Sequence, residues 1–134
     1  MTRSVEVNTD VTGMVIRGYD PVAFFTQGRA VPGSPEFSTE YGGGTYLFAT
    51  AVNRDTFRAD PERYAPRYGG FCAYGVAVGK KFDIDAGSWR IKDDKLYFNL
   101  NPQILETWSK DVDGYISKSE DNWPLIRSKD ASEL

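Results

Sequence analysis

The only thiol of the chain, Cys72, lies in Gly69-Gly70-Phe71-Cys72-Ala73-Tyr74-Gly75, and the 134 residues contain no histidine. Chemistry near neutral pH must therefore gather at one cysteine or at carboxylates, lysines and tyrosines. Relays that pass a proton through an imidazole, in Ser-His-Asp or Cys-His form, are excluded. So are zinc sites made of four cysteines, of paired cysteines and histidines, or of three histidines within one chain.

Three readings of Cys72 follow from its type and setting. A free cysteine among glycines is a small hydrophobe where larger side chains would not fit. A Cys72 thiolate with Met14, the one methionine besides the initiator, is a candidate pair for Cu(I), which favours sulfur donors. A helix N-terminus, or Lys80, Lys81 or Arg67, would instead activate the thiol as a nucleophile.

Tyrosines are the second group able to do chemistry. Tyr19, Tyr46, Tyr64, Tyr68 and Tyr74 fall in aromatic, glycine-rich segments. With hydroxyls turned inward, Tyr19, Tyr46, Tyr68 and Tyr74 would join Cys72 in a site for a small ligand. With hydroxyls outward they are the half-buried edge of a core. Asp20, Asp60, Asp83 and Asp85 lack the spacing of a calcium loop, and Asp20 and Asp60 precede prolines as helix caps do. Gly42-Gly43-Gly44 is not followed by Lys-Ser or Lys-Thr, so it forms no phosphate-cradling loop.

The elements that must position these residues are short. Asp20-Pro21 starts a helix over residues 20–26, ended by Gly28. Glu40 to Phe48 is a hairpin turning at glycine, with Phe37 and Tyr41 on the partner strand. Thr50 caps a helix through Phe57, and Asp60-Pro61 starts another. Phe71 to Val78 reads as a short helix. Trp89 to Lys92 and Lys95 to Phe98 flank Asp93-Asp94 in a second hairpin whose alternation puts one side in the core. Asn101-Pro102 opens a helix with Ile104, Leu105 and Trp108 on one face, continued by Val112, Tyr115 and Ile116. Asp121 to Leu125 is an ordered ending that docks an indole, and Ser128 to Leu134 is polar enough to fray.

Composition bounds the rest. The formal net charge is -3, from 16 basic and 19 acidic residues interspersed along the chain, so no basic stripe exists to neutralise a nucleic acid. Apolar runs are too short to span a membrane, and Met1 to Glu6 lacks the apolar core of a signal peptide. A cytoplasmic chain is the expectation unless a leader has been removed. One cysteine forms no internal disulfide, which leaves the redox compartment open. Three Trp, eight Tyr and eight Phe among frequent turns point to a small α+β domain, with two β-hairpins and several short helices around an aromatic-rich core.

Thr45-Tyr46-Leu47-Phe48-Ala49-Thr50, then Phe57, then Asp60-Pro61-Glu62-Arg63-Tyr64, resembles the YHS domain signature. Gly18-Tyr19-Asp20-Pro21-Val22-Ala23-Phe24-Phe25 is similar to that family's first block. The fuller resemblance is to small bacterial YHS-domain proteins, many of them exported, which share Tyr68 to Gly75 and Asn122-Trp123-Pro124. It implies an N-terminal extension at 1–12, a YHS-like domain at 13–127 and a frayed tail at 128–134. It also implies a metal-handling or other non-catalytic binding module. Yet metal-binding members carry cysteines at positions occupied here by Ala23, Ala49 and Asn53, so the resemblance carries over the fold and not the metal site. The expected function is thus a module binding copper or a small ligand near Cys72. The alternative is a protein-interaction or self-associating structural domain in which Cys72 is a core residue.

Overall fold

A computed structural model describes residues 5–134 of the chain. Met1 to Ser4, part of the stretch read above for a leader core, lie outside the described residues.

Strands β1 (Ser34–Tyr41) and β2 (Gly44–Phe48) pair antiparallel, with Tyr41 opposite Gly44. Gly42 and Gly43 close the turn at φ of 63° and 99°, backbone that glycine adopts without a Cβ penalty. Helix α1 (Pro21–Thr26) precedes this hairpin and α2 (Ala51–Ala59) follows it. Both helices are capped as their sequences predict. Asp20 Oδ1 accepts from the Val22 and Ala23 N–H groups at the start of α1, and Thr50 Oγ1 accepts from Asn53 N–H at 3.1 Å. Helix α3 (Pro61–Tyr64) differs, because Asp60 makes no side-chain capping bond although Pro61 occupies the first helical position. The cap expected at Asp60 is therefore corrected: proline fixes the start there without it.

Between α1, α2 and the hairpin lies the first core. Phe57 meets Tyr46 at 4.8 Å and Phe48 at 5.2 Å between ring centroids, and Phe24 stands edge-on to Phe98 at 5.1 Å. Burying such rings removes most of their area from water and adds edge-to-face attraction.

After a 3-10 turn at Arg67–Gly70, α4 (Ala73–Ala77) leads to strands β3 (Trp89–Lys92) and β4 (Lys95–Phe98). Asp93 and Asp94 turn this second hairpin with φ of 52° and 62°, the left-handed pair that a two-residue hairpin loop requires. One buried side was expected here, yet Leu96, Tyr97 and Phe98 of β4 are all buried. The reason is a second core behind the strand: Leu96 and Phe98 belong to the first core, whereas Tyr97 joins Tyr68, Ala73, Val76, Trp108 and Ile126. Helices α5 (Pro102–Ser109) and α6 (Val112–Ile126) close that second core, capped by Asn101 and Asp111. Helix α6 runs through Pro124, so the segment 121–125 is its final stretch, and Trp123 docks on Tyr68 at 6.0 Å.

Lys81 ties the two ends of the chain to this body. It is buried, and its ammonium donates to the carbonyls of Val5 (2.6 Å), Arg127 (2.8 Å) and Lys129 (2.6 Å). An ammonium has three N–H donors, so all are used. Residues 128–134 carry a 3-10 turn, Ala131–Glu133, with a capping box at Asp130.

Candidate functional site

A groove of about 540 Å3 runs along the junction of the two cores. Its aromatic wall is Tyr41, Tyr46, Tyr68 and Trp123, contributed by β1, β2, the 67–70 turn and α6. Tyr46 is 3% exposed, with its ring held between Tyr41 and Phe57. Among the described residues its hydroxyl has no hydrogen-bond partner. The oxygen is not one of the buried unpartnered atoms, so this O–H reaches the solvent of the groove. Burial, with a smaller push from Tyr41, raises the Tyr46 phenol far above its ordinary range, and it stays a neutral donor and acceptor.

Tyr68 is placed by an unusual backbone. It adopts φ 58° and is followed by Gly69 and Gly70, also at positive φ. A non-glycine residue there costs roughly 1–2 kcal/mol, and contacts with the N-terminal segment hold it. Asn8 N–H donates to Gly69 O at 2.8 Å and Asn8 Nδ2 to Gly70 O at 3.2 Å. Gly69 is obligatory, since a Cβ would lie 2.0 Å from the Glu6 carbonyl oxygen. The Tyr68 hydroxyl donates to Glu120 Oε1 at 3.3 Å.

Glu6, Glu62, Arg67 and Arg127 supply the charge of the groove. Arg127 Nε pairs with Glu6 at 2.9 Å, and Arg67 Nη2 with Glu120 at 3.2 Å. Glu62 is exposed and has no ion-pair partner among the described residues. Arg67 keeps one donor unused, its Nε being buried without a partner among the described residues.

Of the residues singled out from sequence, Tyr46, Tyr68 and Arg67 line this groove, whereas Tyr19, Tyr74, Met14 and Cys72 do not. Tyr19 packs at the edge of the first core, and Tyr74 stacks near Tyr115 at 5.3 Å. Met14 lines a different cavity of about 300 Å3, beside Ile16 and Arg17. Cys72 is fully buried in the first core and lines neither cavity. Its Sγ caps α4, accepting from Gly75 N–H at 3.4 Å and donating to Asn99 Oδ1 at 3.5 Å. Burial raises the Cys72 thiol, outweighing the backbone hydrogen bonds that lower it, so the thiolate needed for metal or nucleophile is disfavoured. Sequence reasoning missed Tyr41 and Glu62 as groove residues and treated Trp123 only as a docked indole. Their convergence depends on tertiary placement that no local pattern carries.

The metal that the resemblance implies can be tested at Ala23, Ala49 and Asn53. These positions do converge, and they converge on a carboxylate. Fully buried Asp20 accepts from Ala23 N–H (3.3 Å), Ala49 N–H (2.8 Å) and Asn53 Nδ2 (2.8 Å), besides Val22 N–H (2.9 Å). That donor set offers no sulfur or imidazole, and its one anion is already surrounded by N–H groups. It does not fit a soft metal. Among the described residues no group of three or more Cys, Asp or Glu side chains is placed to hold a metal ion.

Comparison with known proteins gives one positive result: the family model described as YHS domain matches residues 22–68. This stretch contains α1, the first hairpin, α2, α3 and the turn bearing Tyr68. No curated protein and no solved structure matches the chain.

Proposed function

We propose that the chain, whose residues 22–68 match the YHS domain model, acts as a non-catalytic binding module for a small organic ligand held in the groove between its two cores. The observation that supports this reading is the Tyr46 side chain, whose residue is 3% exposed while its hydroxyl reaches the groove without a protein partner among the described residues. Aromatic walls with a few convergent polar groups are the usual makeup of small-molecule sites, and the groove volume lies in their usual range of about 300–1,000 Å3. The reading moves the site from Cys72 and Met14 to Tyr46 and Tyr68.

Three probes of one size and different charge test it: 2-phenylethylammonium, 2-phenylethanol and phenylacetate. Added to isotopically labelled protein, at least one is expected to shift the amide resonances of Gly42, Arg67 and Gly69. Shifts confined to residues around Met14, or no saturable shifts with any probe, would overturn the groove as the site.

A further inference from the structure

We infer that residues 5–8 form a strap that opens as a unit about Thr9, with Lys81 as its latch. The strap is the partition between two cavities: Val7 lines both the groove and a second cavity of about 340 Å3 that also meets Phe71, Lys81, Asp83 and Asp130. Its attachments fall on three parts of the body. The Val5 carbonyl accepts from the Lys81 ammonium at 2.6 Å, and Glu6 pairs with Arg127, just past α6, at 2.9 Å. Asn8 donates to the Gly69 carbonyl through its N–H and to the Gly70 carbonyl and Asp83 Oδ1 through Nδ2. The pivot is held separately, since Thr9 bridges Val15 and Asp10 N–H donates to Met14 O at 3.0 Å.

Closure and opening of this segment are nearly balanced. Val7 is the one buried residue among 5–8, and the Glu6–Arg127 pair is half-exposed, a kind of contact that contributes little. Against them stand the entropy of the ordered segment and the strain of Tyr68. The left-handed Tyr68, at φ 58°, is held by the strap itself: Asn8 bonds the two glycines that follow it, and the Glu6 carbonyl fills the place of a Gly69 Cβ. A raised strap lets that turn relax, and openings of this kind come from the low-stability end of a fold. Lys81 favours closure, because one ammonium gathers the carbonyls of Val5, Arg127 and Lys129 and so ties the strap to the segment that follows α6. Opening joins the groove to the second cavity and uncovers Phe71.

Amide hydrogen exchange of the full chain without any ligand tests the strap, so its outcome is separate from that of the binding reading. Corrected for intrinsic rates, the Asn8 N–H should exchange at least about tenfold faster than those of Ala49 and Asn99, which are bonded to Asp20 and to the Ser88 carbonyl. Phe71 N–H, bonded to the Tyr68 carbonyl, should share the protection of Asn8, because the turn relaxes with the strap. Lys81→Met keeps an apolar chain beside Phe71 and Trp123 and removes the ammonium. It should speed Asn8 and Phe71 at least about tenfold further and leave Ala49 and Asn99 within about twofold. Glu6→Gln, at a half-exposed position, cuts the Arg127 pair and should speed the same two amides about twofold; it supplies the test should Lys81→Met not fold. Equal protection of Asn8, Ala49 and Asn99 in the wild-type chain would overturn the inference, as would variants that speed all four amides alike. Fast exchange at Asn8 beside a fully protected Phe71 would also overturn it, since that is a fraying terminus and not a strap coupled to the turn.

Discussion

The first core is made largely of phenylalanine and branched aliphatics, among them Phe24, Phe48, Phe57, Phe98 and Val22, whereas the second depends on Tyr68, Tyr97 and Trp108. Polar accounting differs in the same sense. At the edge of the first core, Asp20 has both oxygens engaged by four N–H groups. Around the second, Arg67 Nε, Asn99 Nδ2 and Trp108 Nε1 are buried without partners among the described residues. The two cores meet at β4, and the groove opens where Tyr46 of the first approaches Tyr68 of the second. A core of plain hydrocarbon with a saturated polar hub serves as scaffold. Amphipathic rings whose polar ends are incompletely used are what the proposed binding role calls on.

The largest effect should come from breaking the scaffold. Asp20→Ala removes the acceptor that joins α1 to the start of α2 and strands several buried N–H groups, at a cost of about 3–5 kcal/mol. Urea denaturation of the variant measures it. A loss below about 1 kcal/mol would mean that the hub is not what holds the two halves of the matched region together. Because the hub contains no metal ligand set, a chelator should not reproduce this loss.

A smaller effect distinguishes a core cysteine from a reactive one. The Cys72 thiol is raised by burial in the folded chain, so as pH climbs the unfolded chain releases its proton first. Stability from this group is complete below the unfolded thiol range of about 8.5 and is lost as pH rises through the folded value. Stability should therefore fall above about pH 8.5, and Cys72→Ala should flatten the first part of that fall. Tyr46, Tyr68 and Tyr97 are also raised and preserve a decline at higher pH, while Lys81, lowered by burial, acts in the opposite direction. Denaturation midpoints from pH 7 to 10.5 check the slope; identical slopes in the two proteins would place Cys72 outside the core environment.

Much of this scaffold was legible in the sequence because its signals are local. Asp20-Pro21, Thr50, Asn101-Pro102 and the two hairpin turns each act within a few residues, and the elements start and turn where those residues stand. Local identity also misled. Asp20 and Asp60 precede proline alike, yet only Asp20 is buried with donors around it. Burial on both faces of β4 was not readable either, since the layer behind it comes from helices later in the chain. The groove was the least legible part: Glu6, Tyr46, Glu62, Tyr68 and Trp123 are far apart in sequence and meet only after both cores have formed. Composition drew attention to Cys72 because it is unique, but uniqueness says nothing about exposure.

The smallest expected effect on stability accompanies the most direct test of the groove. Tyr46→Phe deletes only the unpartnered oxygen, so the folded chain should keep its stability to within about 0.5 kcal/mol. The affinity of this variant for whichever of the three probes binds the wild-type groove most tightly, compared by titration calorimetry, is the deciding measurement. A loss of about fivefold or more, with the stability unchanged, is the expected result; equal affinities would contradict a ligand site built on the Tyr46 hydroxyl.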